Sequence, residues 1–313
     1  MKCPATVHSF EQASEFAEPL CLAIGMFDGV HLGHLAVIES AIASAVDCGG
    51  IAGVLTFDPH PSRLFCPDDP TRLLLSVDKK CQRLRRAGVN LVIIKHFDAD
   101  FAAIGAADFA AQLKSALPAL RSVYVGENFR FGQYRAGDVS TLAETGREAG
   151  LDVISVPRVQ QNGQPISSTR IREELSNGAI ALVNDLLGYN YFSDGIVLDG
   201  NKLGRKIGFP TMNLIWEPDC LPCFGVYFVR FRSDKGDWIP AIANYGIRPT
   251  VAADGPPLLE VHALRGSGFE AGHKLEVEWL HFLRREQKFD SVEALKGQIS
   301  LDVKAALDFA EHV

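Results

Sequence analysis

The stretch LCLAIGMFDGVHLGHLAVIESAIASA, Leu20 to Ala45, decides how the rest of the chain is read. Leu22 to Met26 is a continuous apolar run of the kind that fills a strand buried on both faces. Leu35 to Val46 has the spacing of a helix. Between them lies a glycine-punctuated turn carrying His31 and His34. Glycines let the backbone approach a ligand, and a helix that starts just after a strand offers unpaired N–H groups and the positive end of its dipole. A histidine pair in such a place suits a metal, a packed core or an anion such as phosphate. Zinc asks for a third and fourth ligand at recognisable spacing, and none follows. A Gly-flanked HxxH at a strand exit is also a poor place to bury two imidazoles, which leaves phosphate as the favoured partner.

Working outward, the same alternation continues to about residue 160. Ile51 to Phe57, Leu91 to Lys95, Ser122 to Val125 and Val153 to Val156 read as strands. Lys79 to Ala87, Ala106 to Leu117 and Val139 to Ala149 read as helices. Apolar strands separated by helices predict a parallel sheet covered on both faces, with ligands beyond the carboxyl ends of its strands. Ser168 to Asn177 and Ile180 to Leu187 read as closing helices.

After Gly188 the pattern changes. Gly195 to Leu198, Thr211 to Trp216, Gly225 to Phe231, Ile239 to Tyr245, Leu258 to Ala263 and Leu275 to Leu283 are strand-like, with turn residues between them and no helices. Six antiparallel strands predict a barrel or sandwich. The tail from Ser291 to His312 carries a helical apolar stripe. Two domains, 1–186 and 187–313, follow from the change of period and from a length of 313 residues.

The halves either side of residue 186 carry net charges of −4 (17 Lys and Arg against 21 Asp and Glu) and −3 (14 against 17). Neither has the basic excess of a nucleic-acid binder. No run has the length of a membrane span, and the N-terminus lacks the apolar core of a signal peptide, so a cytoplasmic protein is expected, with no nucleic-acid or membrane partner. The seven cysteines are scattered, as suits a reducing compartment. Cys220-Leu-Pro-Cys223 has no second pair and reads as an ordinary loop. Nothing in the sequence sets an oligomeric state.

Ile166-Ser167-Ser168-Thr169-Arg170-Ile171-Arg172 supplies hydroxyls and guanidinium groups at a helix start, good both as an N-cap and as a phosphate clamp. With the histidine motif it resembles the HxGH-type nucleotidyltransferases. More specifically, GMFDGVHLGH, TFDPHP (Thr56 to Pro61), VGENFRFG (Val125 to Gly132) and SSTRIR resemble the first half of the prokaryotic bifunctional riboflavin kinase/FAD synthetase family. GRKIGFPTMN (Gly204 to Asn213), GVYFV, NYGIRPT (Asn244 to Thr250), EVH (Glu260 to His262) and LRREQKFDSVEALKGQI resemble its second half.

The resemblance implies a Rossmann-like α/β nucleotidyltransferase domain followed by a six-stranded antiparallel β-barrel with a terminal helix. It implies ATP, riboflavin and FMN as substrates, FMN and FAD as products, and Mg2+ as the metal. In the first half it gives His31 and His34 the ATP phosphates, and Ser167, Ser168, Thr169 and Arg172 the triphosphate end and departing pyrophosphate. Gly25, Phe27, Asp28 and Gly33 belong to the nucleotide cradle, and Asn128 orients nucleotide, magnesium or both. The flavin is placed near Phe57, Pro59, His60, Phe129 and Phe131, although the last two suit a core equally well. In the second half Glu260 becomes the base, Thr211 and Asn213 the magnesium and phosphate ligands, and Gly204, Arg205 and Gly208 the binders of ATP phosphates.

Three stretches depart from the family pattern: Phe269-Glu270-Ala271-Gly272 where Asp-Leu-Tyr-Gly is usual, Leu198-Asp199-Gly200 where a His-Gly pair is common, and Val251 in place of Phe. A barrel that only binds flavin, or a different HxGH transferase, are the competing expectations.

Overall fold

The computed structural model describes residues 5–198, 208–233, 236–247, 257–265 and 269–310. The chain divides into two compact units, one ending at Ser168 and the next beginning at Thr169.

In the first unit β1 (Ala5–Val7), β2 (Leu20–Ile24), β3 (Ile51–Asp58), β4 (Leu91–His96), β5 (Leu120–Gly126) and β6 (Asp152–Val156) form one sheet in the order β1-β4-β3-β2-β5-β6. Every pairing in it is parallel. Helices Leu32–Asp47, Val77–Arg86, Ala106–Ala116 and Val139–Glu148 connect the strands. Leu22, Val54, Leu55, Leu91 and Val92 are wholly buried, which is why these strands read as unbroken apolar runs. The chain winds from β2 out through β3 to β4, then returns to lay β5 on the other side of β2. In open parallel sheets, such a reversal opens a crevice beyond the carboxyl ends of the strands, where ligands bind. The loop leaving β2 carries the histidine motif, and the loop leaving β5 carries Asn128.

Local chemistry explains two of the differences from the sequence reading. The helix after β2 begins at Leu32 because His31 caps it, accepting the His34 N–H on Nδ1 at 3.2 Å. Imidazole is not among the usual capping groups, so capping rules pass over it. β1 is three residues long, too short to show a period.

In the second unit β9 (Phe192–Leu198), β10 (Met212–Ile215), β11 (Gly225–Ser233), β12 (Ile239–Gly246), β13 (Leu258–Ala263) and β14 (Lys274–Arg285) close into an antiparallel barrel in the order β10-β13-β12-β11-β14-β9. β7 (Gln160–Gln161) and β8 (Gln164–Pro165) form a separate ribbon in the first unit. Tyr227, Phe231, Tyr245, Val261 and Trp279 are wholly buried, as the alternation of a small filled barrel requires. Helix Ile180–Leu187 lies with the barrel, where Asn184 Nδ2 donates to the Trp279 carbonyl at 2.8 Å.

The terminal helix Val292–Ala310 packs through Ala306 against Val226, Phe228 and Ile242. Its polar anchor is Asp302, 4% exposed. Arg284 grips it with Nε at 2.9 Å and Nη2 at 2.7 Å, and Gln298 adds a third donor at 2.9 Å. Removing one partner of a buried pair strands the other charge. D302A is therefore expected to destabilise the barrel by about 3–5 kcal/mol. All three tryptophans, Trp216, Trp238 and Trp279, lie in this half, so tryptophan fluorescence during urea denaturation of the full chain reads its transition selectively.

Candidate functional site

The β2 exit is a tightly held turn. Phe27, Gly29 and Val30 have φ of 50°, 85° and 41°. The side chains of Phe27 and Val30 are buried. Asp28, 5% exposed, accepts the Leu74 N–H at 3.0 Å and the Leu75 N–H at 3.3 Å. Its backbone carbonyl accepts Ser168 Oγ–H at 2.8 Å.

His31 and His34 stand one turn apart with their rings stacked at 3.5 Å, and Phe27 meets His34 edge-on at 5.3 Å. His31 is only 4% exposed, contrary to the expectation that this strand exit would not bury an imidazole. Stacking and capping together draw the ring against the first helical turn. Because its Nδ1 accepts, neutral His31 carries its proton on Nε2, a donor suited to an anion. Gly33 makes this arrangement possible. A Cβ there would stand 3.1 Å from His31 Cε1, 3.2 Å from Nδ1 and 3.4 Å from the Ile166 carbonyl oxygen. The same distances show that Ile166 to Ser168 pass beside the histidine turn, so the HxGH and ISS stretches meet within the first unit. Thr169 and Arg172 follow on helix Ser168–Asn177.

Asn128 is exposed beyond β5, with Oδ1 3.3 Å from the position of a Cβ on Gly126. Phe57, Phe97, Phe101, Phe109, Phe131 and Phe129 form a continuous chain of ring contacts across the carboxyl ends of β3 to β5, each 5.1–6.3 Å from the next. Phe131 lies in the core between Phe109 and Phe129, whereas Phe57 and Phe129 are half-buried. Pro59 follows a cis peptide bond. His60 Nδ1 engages the Ser62 hydroxyl at 2.8 Å in the next turn.

In the barrel, antiparallel register sets Asn213 directly opposite Glu260 and Asn244 on its other side. Leu259 and Val261 point inward and are wholly buried, so Glu260 projects from the outer face, as its alternation predicts. Asn213 is 6% exposed, and Thr211 is exposed just ahead of β10. Thr211 and Asn213 offer hydroxyl and amide carbonyl oxygens, a donor chemistry that suits Mg2+. Gly208 has a φ of 92°, as a glycine-dependent turn requires. Gly204, Arg205, Asp199, Gly200 and Val251 lie outside the described residues. The departure at Phe269 to Gly272 keeps a turn: Gly272 has a φ of 91° and donates its N–H to the Val197 carbonyl at 2.8 Å.

Three side chains at these sites were given no role by the sequence reading. Lys80, on helix Val77–Arg86, is 6% exposed and donates to Thr56 Oγ1 at 2.9 Å and to the Met26 carbonyl at 3.3 Å. In Ser76-Val-Asp-Lys-Lys-Cys-Gln-Arg it reads as a solvent lysine. Asn244 acts on the Glu286 carboxylate to hold its pKa down. Glu286 is exposed as a whole, but its carboxylate presses on Gly246, where any Cβ would overlap it. Burial there pushes its pKa up, and the charge of Glu260 adds to the rise, while Asn244 and Arg284 oppose it. The glycine in NYG was the available signal.

Residues 13–170 match the family model for FAD synthetase, and residues 187–310 match that for riboflavin kinase. The bifunctional riboflavin kinase/FMN adenylyltransferase of Escherichia coli K12 is 36% identical over 99% of this chain and 98% of its own length. That of Bacillus subtilis is 32% identical over 100% and 99%. A crystal structure described as a macrolide-efflux protein from Streptococcus pneumoniae superposes with a TM-score of 0.86 at 28% identity, covering 97% of this chain and 98% of that one. No helix among the described residues is long and apolar enough to cross a membrane. The chain belongs to the bifunctional riboflavin kinase/FMN adenylyltransferase family, with FAD synthetase in its first half and riboflavin kinase in its second.

Proposed function

We propose that the turn from Gly25 to His34 is the adenylyl-transfer site and that the row Asn213, Glu260 and Asn244 is the phosphorylation site. The His31 cap is the observation that carries the first assignment, because it joins a proton on Nε2 to a helix N-terminus in one place.

In adenylyl transfer a phosphate oxygen of FMN attacks the α-phosphorus of ATP, the new P–O bond forms, and the bond to the β-phosphate oxygen breaks to release pyrophosphate. Such a displacement asks the protein for position and charge stabilisation. His31 and His34 donate to the phosphate oxygens, joined by first-turn N–H groups that have no intrahelical acceptor. Ser167, Ser168, Thr169 and Arg172 bind the departing end. The backbone of Gly25 to Asp28, with Gly33, cradles the nucleotide, and Asn128 orients it. The exposed edges of Phe57 and Phe129, with Pro59 and His60 beside them, form the flavin bed, and Phe131 supports it from the core.

In the kinase half Glu260 takes the proton of the ribityl 5′-hydroxyl as that oxygen attacks the γ-phosphorus and ADP leaves. Gly204, Arg205 and Gly208 bind the nucleotide phosphates. Mg2+, held by Thr211 and Asn213, supplies neutralisation of phosphate charge when bound. The functional boundary is placed between residues 186 and 187, supported by the start of the riboflavin kinase match at residue 187. A cytoplasmic setting fits ATP as the common substrate and the six free cysteines among the described residues.

Chromatography of products after mixing the protein with riboflavin and Mg-ATP is expected to show FMN, then FAD. FAD from added FMN with none from riboflavin would restrict the chain to adenylyl transfer and remove Glu260 from its role. Substituting Mn2+ or withholding metal tests the magnesium assignment in the same assay.

A further inference from the structure

The turn from Gly25 to His31 holds backbone that is costly to maintain. Val30, a β-branched residue, has a φ of 41°, and Phe27 has one of 50°. Side chains disfavour this region, and such conformations persist only where their surroundings over-determine them. Ser168 holds the Asp28 carbonyl, and the Leu74 and Leu75 amides hold the Asp28 carboxylate. The remaining hold is on Met26, whose carbonyl accepts Lys80 Nζ at 3.3 Å and Thr56 Oγ1 at 3.0 Å, with Lys80 also donating to Thr56 at 2.9 Å. Thr56 is wholly buried and Lys80 nearly so. Lysine is rarely withdrawn from water to this degree, and an apolar side chain of similar volume would satisfy packing without the cost of desolvating a charge. What the ammonium adds is a grip on the backbone of the motif itself.

We propose that Lys80 is a positioning residue for adenylyl transfer: directly and through Thr56, its ammonium fixes the Met26 carbonyl so that the turn presents His31 and His34 to the triphosphate. The inference rests on the assignment of adenylyl transfer to those histidines. Burial pulls the Lys80 pKa below the ordinary lysine value, while Asp28 in the turn, Cys81 on its own helix and Asp58 at the end of β3 act to raise it. The ammonium therefore discharges at lower pH than an exposed lysine. Between the folded and unfolded pKa values the unfolded chain binds more protons there, so this group's contribution to stability rises with pH. Loss of its grip at alkaline pH is thereby separable from unfolding. Arginine at this position would stay charged throughout.

The test measures FAD formation from FMN and Mg-ATP, and FMN formation from riboflavin, in full-length wild type, K80M, K80R and H31A between about pH 7 and about pH 10. K80M is expected to lose about 100-fold in kcat for FAD formation, the scale of a misplaced reacting group, with FMN formation within about twofold of wild type. The ratio of K80R to wild-type FAD formation is expected to rise with pH across the alkaline range as the native lysine discharges. A K80M protein with native protease resistance in its first unit that forms FAD within about threefold of wild type overturns the proposal, a loss too small for a misplaced reacting group. So does a K80R profile parallel to that of wild type. If K80M does not fold, the K80R profile decides alone. An active H31A sinks the histidine assignment itself, whereas an inactive H31A beside an active K80M sinks only the role of Lys80.

Discussion

Glu260→Gln is expected to slow riboflavin phosphorylation by about 10²–10⁴-fold, the range of a lost general base, while FAD formation from supplied FMN stays at the wild-type rate. Glutamine keeps the size and hydrogen-bonding reach of the side chain and removes its basicity. Because Glu260 stands between Asn213 and Asn244 in fixed register, the substitution leaves the strand row in place. Steady-state rates with riboflavin as the varied substrate should show the loss in kcat with little change in KM. A variant that phosphorylates within tenfold of wild type would place the base elsewhere, and Glu286, coupled by charge to Glu260, would be the carboxylate to examine.

The complementary result belongs to the other half. His31→Asn is expected to lower FAD formation by about 10³-fold, the scale for removing a donor to developing oxyanion charge, and to leave FMN formation intact. Asparagine is the more informative replacement because it keeps an acceptor for the His34 N–H, whereas alanine also loses the cap, worth about 1 kcal/mol of helix stability. His34→Ala should act on the same activity alone. Loss of both activities in either folded variant would mean that the division of labour between the two halves is wrong.

The architecture was legible because each half obeys one period. Unbroken apolar runs between helices fit strands covered on both faces, and the loss of helices after Gly188 narrowed the second half to a barrel or sandwich, which the family resemblance resolved as a barrel. What escaped was short or non-local. Ala5–Val7 is recognisable only by its pairing with Leu91 to Ile93. The cap on helix Leu32–Asp47 went unseen because an imidazole supplies it. The proposed site was nameable from sequence where residue types themselves suggest the chemistry, as with His31, His34 and Glu260. It was opaque where an ordinary residue is made special by its surroundings. Lys80 differs from its neighbour Lys79 only in the direction it faces, and Glu286 is set apart only by a glycine forty residues earlier in the chain.

Arg284 closes on Asp302 of the terminal helix, and two residues further along the same strand end Glu286 covers Gly246 and engages Asn244. The helix thus works as a tether on the barrel edge that carries Glu260. Its polar anchor fixes the chain two residues before Glu286, whose carboxylate feels the charge of Glu260, so with Glu260 as the proposed base, slack at the C-terminal end would surface as poor phosphoryl transfer before it surfaced as an open barrel.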